Sequence, residues 1–214
     1  CGGLSVVSNE AEVETAVKKV VHESSREEFI AQKLVTGQPA SVCVFSNGTK
    51  AVAASLNKQF VLLESPDKES KYFGGVVPFD HKLASEAFVA AEKVVLAQKG
   101  LRGYVGVDLV LTEQDPVVIE VNPRLTVSYI GLRQTVNFNP AQAIVNAVTE
   151  SELPVNVKTN GYCYFSKIAV RTGSQVLNQE KNQGVVVPPF PVEEKTVYAL
   201  ISEWTKNSRG EQSG

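Results

Sequence analysis

Two runs of aliphatic residues separated by a short polar stretch occupy residues 104–124, and they constrain the fold of this chain more than any other feature. The polar residues 112–116 predict a turn centred on Gln114, with the two runs as the strands of an antiparallel hairpin. In that register Asp108 and Glu120 lie directly opposite each other, where two carboxylates repel. A cation between them would remove the repulsion. The opposite face of the hairpin is apolar and is expected in the core: Val107, Leu109, Leu111, Val117, Ile119 and Val121.

The acidic face of this hairpin predicts a metal site. The period of two along a strand puts Asn122 on the same face as Glu120. Carboxylate and amide oxygens suit Mg²⁺ (or Mn²⁺), which takes one or two carboxylates and leaves its other positions to water and substrate phosphates. The alternative is an ordinary solvated strand face. Two observations favour the metal: Val110 and Val118 are expected to share this face and bury it partly, and Arg124 follows directly.

The composition is that of an ordinary globular protein. The chain has 214 residues, of which 43% are hydrophobic and 21% charged, enough for one large domain or a domain with an appendage. A net charge of −2 gives no electrostatic reason to expect nucleic acid or an anionic membrane as partner. The three widely spaced cysteines indicate no disulfide framework and favour a reducing cytoplasm. Apolar runs stay well below the roughly 20 residues that cross a bilayer.

The rest of the chain alternates predicted strands and helices. An amphipathic helix is predicted over residues 83–99, and a second from Pro140 to about residue 149, with Asn139 as its N-cap. Residues 64–78 predict a long polar and glycine-bearing loop, of a length often found in functional lids or binding loops. Strands are predicted at residues 29–35, 40–45, 50–56 and 162–170, with an Asn-Gly turn at residues 47–48.

The texture changes after residue 150. We expect one main α+β domain over residues 1–150, a small β-rich extension over residues 151–206, and a disordered tail over residues 207–214. The chain begins C-G-G and contains no methionine, so we expect it to be a segment of a longer protein.

The hairpin and its flanks resemble a known family. The sequence V-V-I-E-V-N-P-R-L, with G-V-D in the partner strand, is similar to the ATP-grasp carboxylate–amine ligases. The resemblance covers residues 1 to about 149. It implies an ATP-grasp fold, an antiparallel sheet with packed helices, that is N-terminally truncated and lacks its first strands and its preceding substrate domain. It also implies that Mg²⁺ is held against the phosphates of ATP by Asp108, Glu120 and Asn122.

A second motif, F-I-A-Q-K-L-V-T-G at residues 29–37, resembles the hinge strand whose backbone binds the adenine in this family. The resemblance implies adenine contacts from Gln32, Lys33, Leu34 and Val35. The aliphatic pair would sandwich the ring, as adenine recognition requires. The alternative is an edge strand with a polar patch.

Other motifs imply contacts with the ribose and the phosphates. S-L-N-K-Q at residues 55–59 resembles the strand end near the γ-phosphate, where Lys58 would neutralise charge; the alternative is a solvated lysine. The opening C-G-G resembles the end of the glycine-rich loop over the phosphates and implies backbone contacts from Gly2 and Gly3. The family often holds the ribose with an acid after the hinge. This chain has Q-P-A-S there, which leaves Ser41 as the candidate.

The chemistry implied by the resemblance is ATP-dependent amide formation. The family phosphorylates a carboxylate, and an amine attacks the acyl phosphate. Arg124 would clamp the carboxylate or phosphate, or alternatively form a structural ion pair. Whether this segment is active without its upstream part is left open.

Within the family, S-L-N-K-Q-F, Y-F-G-G-V-V-P and N-P-R-L-T-V-S-Y resemble the branch that contains the tyramine–glutamate ligase of methanofuran biosynthesis and the ligase of the pyrrolysine pathway. The pairing of C-G-G with N-P-R-L-T is most similar to the tyramine–glutamate type. That similarity implies L-glutamate and tyramine as substrates, and a homodimer is compatible with it. Two alternatives of other classes are a non-catalytic nucleotide-binding module of the same fold, and a scaffold domain that binds no nucleotide.

Overall fold

The computed structural model describes residues 3–24, 28–170, 185–186 and 197–205. The helices are α1 (Val13–Ser24, after a 3₁₀ turn at Glu10–Glu12), α2 (Ala84–Ala97), α3 (Tyr129–Thr135) and α4 (Pro140–Thr149). The strands are β1 (Gln38–Asn47), β2 (Ala51–Leu62), β3 (Lys71–Val77), β4 (Arg102–Leu111), β5 (Pro116–Asn122), β6 (Tyr162–Val170), β7 (Val185–Val186) and β8 (Val197–Thr205). They form one antiparallel sheet in the order β5-β4-β1-β2-β3-β6-β8-β7.

The hairpin of β1 and β2 follows the predicted turn at Asn47 and Gly48. The Asn47 side-chain oxygen accepts hydrogen bonds from the backbone N–H groups of Thr49 and Lys50, at 3.1 and 2.8 Å. Gly48 has φ +88°, a left-handed conformation that glycine adopts without steric cost. The prediction of two strands joined here is confirmed, and β2 continues to Leu62.

One face of the sheet is apolar and is covered by α2. In this helix Ala87, Ala91 and Val95 are buried, a spacing of four that keeps one stripe of the helix against the strands. Glu92 on the same helix accepts a hydrogen bond from the backbone N–H of Ala53 at 2.8 Å. The strand residues that form the core on this face are Ala40, Val42, Val44, Leu56, Val105, Val107, Leu109 and Leu111.

The other face of the sheet is divided in two. One end packs against α3 and α4 through a second core of Cys43, Phe45, Ala54, Val77, Tyr104, Leu132 and Phe165. Helix α4 begins as predicted, because the Asn139 side chain accepts hydrogen bonds from the N–H groups of Ala141 and Gln142. At the other end the register gathers polar side chains on this face: Ser41, Asn57, Gln59, Asp108, Glu120 and Asn122.

Two predictions are wrong: the strand before β1 and the loop after β2. Residues 28–36 form no strand, because no strand among the described residues pairs with them. Phe29, Ile30 and Leu34 are exposed. The predicted loop at residues 64–78 contains β3, which pairs with β2 and β6. Its glycines suggested a loop, but a side chain at Gly74 would lie 2.1 Å from the Phe165 carbonyl oxygen, so close strand packing requires glycine there.

The region after residue 150 is strand-rich, and its first strand is the predicted one. Strand β6 hydrogen-bonds to β3, so it continues the main sheet. Helix α3 lies in a stretch that carried no helix prediction. The predicted tail at residues 207–214 lies outside the described residues. Within the described ranges, every helix is too short or too polar to cross a lipid bilayer.

Candidate metal and nucleotide site

Asp108 and Glu120 are Cα partners in the pairing of β4 with β5, as predicted. The turn between the strands is one residue shorter than predicted. It comprises residues 112–115, whose first N–H donates to the last carbonyl oxygen at 3.0 Å, and Leu111 pairs with Pro116. An uninterrupted ladder from this turn would pair Asp108 with the residue before Glu120. The observed pair therefore needs a second irregularity.

That irregularity is a β-bulge in β5. Ile119 is the extra residue, between the Asp108–Glu120 pair and the Leu109–Val118 pair. Beyond the bulge the two faces of β5 exchange. Val118 packs against the core beneath α2, and Ile119 is 40% exposed. Val117 pairs with Val110, on the same face as Asp108. The predictions that Val117 and Ile119 are core and that Val118 lies on the acidic face are therefore wrong, although the predicted carboxylate pair is right.

Four side chains form a continuous series of hydrogen bonds across β2, β4 and the end of β5. Gln59 Nε2 donates to Asp108 Oδ1 at 2.9 Å, and Asn122 Nδ2 donates to Asp108 Oδ2 at 3.0 Å. Arg124 Nη2 donates to Asn122 Oδ1 at 3.0 Å. Because a carboxylate only accepts and a guanidinium only donates, the partners fix the orientation of the Asn122 amide. The structure thus brings Asp108, Asn122 and Arg124 together, with Glu120 opposite Asp108.

The electrostatics of this cluster favour a cation. Burial raises the pKa of the Asp108 carboxyl, and the facing carboxylate of Glu120 also raises it. The hydrogen bonds from Gln59 and Asn122 act in the opposite direction. The nearby Arg124 guanidinium also lowers the pKa of Asp108, but the net shift is upward, so the folded protein disfavours the charged form of this carboxyl. A cation beside the two carboxylates would favour that charged form.

The ligand atoms on offer are two carboxylates and one carboxamide oxygen. Within the part of the chain that the structure describes, no three His, Cys, Asp or Glu side chains cluster as a metal site would require. A metal at Asp108 and Glu120 would therefore take only part of its coordination from the protein, as Mg²⁺ commonly does when phosphates and water complete its shell. Asn122 Oδ1 contacts Arg124 here, so ligation through that oxygen requires the amide to turn. With that adjustment the residues fit Mg²⁺ or Mn²⁺.

Lys58 does not join this cluster. It is the Cα partner of Ala40, and because successive side chains alternate, it lies on the face covered by α2, opposite to Asp108. Its Nζ lies 5.7 and 5.5 Å from the ring centroids of Phe60 and Phe79. The predicted phosphate-side lysine is therefore on the far side of the sheet.

Gln59 is the site residue that sequence reasoning missed. A bulge in β2 leaves Ala54 unpaired, between the Cys43–Ser55 and Val44–Ala53 pairs. If the pairing of β1 with β2 continued from the Asn-Gly turn without this bulge, Lys58 would lie on the polar face and Gln59 on the apolar face. The bulge exchanges them. Nothing in the residue letters alone marks that position, since alanine has no particular preference for a bulge.

The predicted nucleotide contacts are spread over several places. Gln32, Lys33 and Leu34 are exposed and Val35 is half-buried, in a segment without regular structure. Ser41 is the neighbour of Asp108 across the β1–β4 pairing, but it is only 2% exposed. Its hydroxyl accepts a hydrogen bond from Asn57 at 3.3 Å.

Of the two glycines predicted to contact the phosphates, the structure describes Gly3. Gly2 lies outside the described residues. Gly3 has φ +74° and packs against α1, where a side chain would come within 3.3 Å of Val20.

Comparisons with known proteins show what this chain is similar to. The sequence profile of the ATP-grasp domain family matches residues 1–128. The chain is 35% identical over 132 residues to the tyramine–L-glutamate ligase of Methanocaldococcus jannaschii, a match that covers 62% of this chain and 40% of that protein. The chain therefore spans less than half the length of this relative.

Solved structures share the fold at low identity. The L-amino acid ligase from Bacillus licheniformis superposes with a TM-score of 0.68 at 17% identity, covering 94% of this chain and 56% of that one. The N5-carboxyaminoimidazole synthetase from Staphylococcus aureus, complexed with ADP, superposes with a TM-score of 0.64 at 14% identity, covering 82% and 48%.

Proposed function

Because the chain belongs to the ATP-grasp family, we propose that it is the metal- and nucleotide-binding part of an ADP-forming ligase that joins a carboxylate to an amine. The observation that carries the proposal is the opposition of Asp108 and Glu120 on paired strands, beside Asn122 and Arg124. Two opposed carboxylates, with Asp108 half-buried and Glu120 exposed, call for a cation, and the oxygen ligands suit Mg²⁺ or Mn²⁺ with ATP.

Each residue of the cluster has a distinct role in this proposal. Asp108, Glu120 and Asn122 hold the metal, which when bound would neutralise charge on the phosphates of ATP. Gln59 keeps the Asp108 carboxylate oriented through its hydrogen bond to Oδ1. Arg124 holds the carboxylate substrate next to the transferred phosphoryl group, since a guanidinium can bind both oxygens at once.

The reaction itself needs no nucleophile from the protein. The substrate carboxylate attacks the terminal phosphorus of ATP, releasing ADP and giving an acyl phosphate. The amine then attacks the acyl carbon and expels phosphate. The chain's part is to align the reactants and to neutralise charge, which lowers the barrier without a covalent enzyme intermediate. Lys58 is not needed for this assignment.

The name of the 35% identical relative supports L-glutamate and tyramine as the substrates. Since this chain spans only 40% of that relative, further substrate contacts are expected from the rest of the full-length protein. The proposed substrates are thus small molecules bound between this chain and residues beyond it.

The test is ADP release by the full-length protein supplied with ATP, Mg²⁺, L-glutamate and tyramine. We expect repeated turnover to require all four components. Trapping with hydroxylamine in the absence of tyramine should give a hydroxamate, which reports the acyl phosphate. ADP release that needs neither a carboxylate nor an amine would contradict the ligase assignment.

A nucleotide-binding module without chemistry is the second candidate. Its support is the stretch after the proposed hinge, Gln38-Pro39-Ala40-Ser41, which offers no acidic side chain for the ribose. The same assay separates the two, because this alternative predicts Mg²⁺-dependent ATP binding with no turnover on any carboxylate and amine pair.

A further inference from the structure

The segment that carries Arg124 folds back onto strand β4 at Gly106. A Cβ placed on Gly106 would lie 2.3 Å from Thr126 Cγ2 and 3.1 Å from Thr126 Oγ1, so the threonine occupies the space that any larger residue would fill. Gly106 is also the Cα partner of Asn122. Thr126 is therefore seated on the sheet directly beside the proposed metal ligand and two residues beyond Arg124.

Four side chains close a ring of hydrogen bonds around this seat. Tyr104 donates from its hydroxyl to Cys43 Sγ at 3.0 Å, and Cys43 Sγ donates to Ser128 Oγ at 3.7 Å. Ser128 Oγ and Thr126 Oγ1 are 2.9 Å apart, and Thr126 Oγ1 is 2.8 Å from the Tyr104 hydroxyl. Two members belong to strands β1 and β4, and two to the segment that follows β5.

The hydrogens of this ring can be assigned consistently. Each of the four groups has one hydrogen to donate. If Tyr104 donates to Cys43, then Thr126 must donate to Tyr104 and Ser128 to Thr126, and Cys43 completes the circle. Burial raises the pKa of the Cys43 thiol, which keeps its hydrogen in place. All four groups are thus satisfied within the protein, as buried polar groups need to be.

The hydrogen bonds of Arg124 itself are short-range. Its backbone N–H donates to Asn122 O at 2.8 Å, and its guanidinium donates to Asn122 Oδ1 and to Leu125 O. Arg124 is exposed and contacts only close sequence neighbours through these bonds. Its location therefore depends on the end of β5 and on where the segment that follows β5 is attached to the sheet.

We propose that the seat of Thr126 on Gly106, closed by the ring of Tyr104, Cys43 and Ser128, is the positioning device for Arg124. It would fix the guanidinium at a set distance from Asp108 while leaving it exposed to substrate. The role given to Arg124 rests on the proposed function. The attachment of the segment to the sheet does not, and the two are tested separately.

The attachment is tested by hydrogen exchange on the full-length protein without ligand. Thr126→Val keeps the shape of the seat and removes one ring hydroxyl, and Tyr104→Phe removes another. We expect the amides of residues 124–129 to exchange about tenfold faster in both variants, since they open locally. Thr135→Val is the matched control: it removes a buried threonine hydroxyl at the far end of α3, bonded only within that helix, and should leave residues 124–129 unchanged. Unchanged exchange in both ring variants would overturn the proposal.

The purpose of the attachment is tested by a double-mutant cycle in ADP release. Gly106→Ala should raise the KM for L-glutamate by about tenfold to a hundredfold, as misplacement of a binding group does, with the KM for ATP changed about twofold at most. In the Gly106→Ala background, Arg124→Ala should raise the KM for L-glutamate by less than a further factor of about two. The reason is that a displaced arginine already contributes little to binding. Thr126→Val gives the same cycle if Gly106→Ala does not fold.

One control variant and two outcomes decide the interpretation of this cycle. Val95→Ala destabilises the protein from the opposite face of the sheet and should leave both KM values unchanged. Full additivity of Gly106→Ala with Arg124→Ala would mean that the seat does not act through the arginine, and it would overturn the positioning role. If the wild type releases no ADP with L-glutamate and tyramine, the substrate assignment falls, and the exchange rates still decide the attachment.

Discussion

The two faces of strands β1, β2 and β4 share one backbone and differ in almost everything else. On the face beneath α2 the core side chains of these strands are aliphatic and buried. On the opposite face, at the end away from α3 and α4, the register gathers amide, hydroxyl and carboxylate groups around Asp108. The first face holds the sheet together by excluding water. The second brings together charge that the protein does not neutralise by itself.

The contrast is sharpest between neighbours in sequence. Lys58 and Gln59 are adjacent, yet Lys58 lies over aromatic rings on one face and Gln59 donates to Asp108 on the other. A lysine near a predicted phosphate site is therefore weak evidence for a role there until the face of the sheet on which it lies is known. Stability and function should therefore respond separately to changes on the two faces.

The largest expected effect is on the apolar face. Leu56→Ala removes a side chain that is 2% exposed in the core beneath α2, and we expect it to lower the free energy of unfolding by about 2–5 kcal/mol. Urea denaturation measures this loss. Where the variant is still folded, its affinity for Mg²⁺-ATP should equal that of the wild type. A matching loss of affinity would mean that the two faces are not independent.

The next effect is on the polar face. Asp108→Asn removes a proposed metal ligand, and we expect Mg²⁺-dependent ATP binding to weaken by more than about a hundredfold. Because the change also relieves repulsion with Glu120, the free energy of unfolding without metal should not fall as it does in Leu56→Ala. Calorimetric titration and urea denaturation measure the two quantities. Loss of stability together with retained binding would reverse the assignment of the faces.

A smaller effect compares the two neighbours on β2. Gln59→Ala deletes the donor to Asp108 Oδ1, and loss of such a supporting hydrogen bond should weaken the apparent affinity for Mg²⁺ by about tenfold. Lys58→Ala, on the far face, should change it by less than about twofold. Mn²⁺ titration in the presence of ATP, followed by electron paramagnetic resonance, gives both values. A larger loss of Mg²⁺ affinity in Lys58→Ala than in Gln59→Ala would mean that Lys58, not Gln59, acts at the site.

The smallest effect concerns pH. Burial raises the pKa of Asp108 in the folded state above the unfolded value of about 4, so the folded state binds this proton more tightly. The contribution of Asp108 to stability is therefore lost as the pH rises from about 4 through the folded pKa. Without metal, the stability of Asp108→Asn relative to the wild type should increase over that window. A difference that stays flat or decreases with pH would contradict the upward shift.

The sequence predicted which strands pair, but it did not always predict which face of the sheet a residue occupies. The opposition of Asp108 and Glu120 was predictable because two apolar runs flank one short turn. The prediction was right through two compensating departures, a shorter turn and the bulge at Ile119. The bulge at Ala54 had no such compensation, and it moved Gln59 rather than Lys58 to the site. Bulges change which face a residue occupies without changing its letter.

Other failures came from partners that a linear pattern does not reveal. Residues 29–35 have the composition of a strand, but a strand forms only where another supplies hydrogen bonds, and none of the described residues does so. Gly74 suggested a loop, although its missing side chain serves the approach of β6. The ring around Cys43 joins residues up to 85 positions apart and could be recognised only in three dimensions.

The most direct test of the account is calorimetric titration of ATP into the full-length protein, with and without Mg²⁺, for the wild type and Glu120→Gln. Glu120 is exposed, so this substitution should change the free energy of unfolding by no more than about 0.5 kcal/mol. We expect Mg²⁺-dependent ATP binding in the wild type and its loss in Glu120→Gln. Equal Mg²⁺-dependent binding by the two proteins would contradict the metal site on which the proposed function depends.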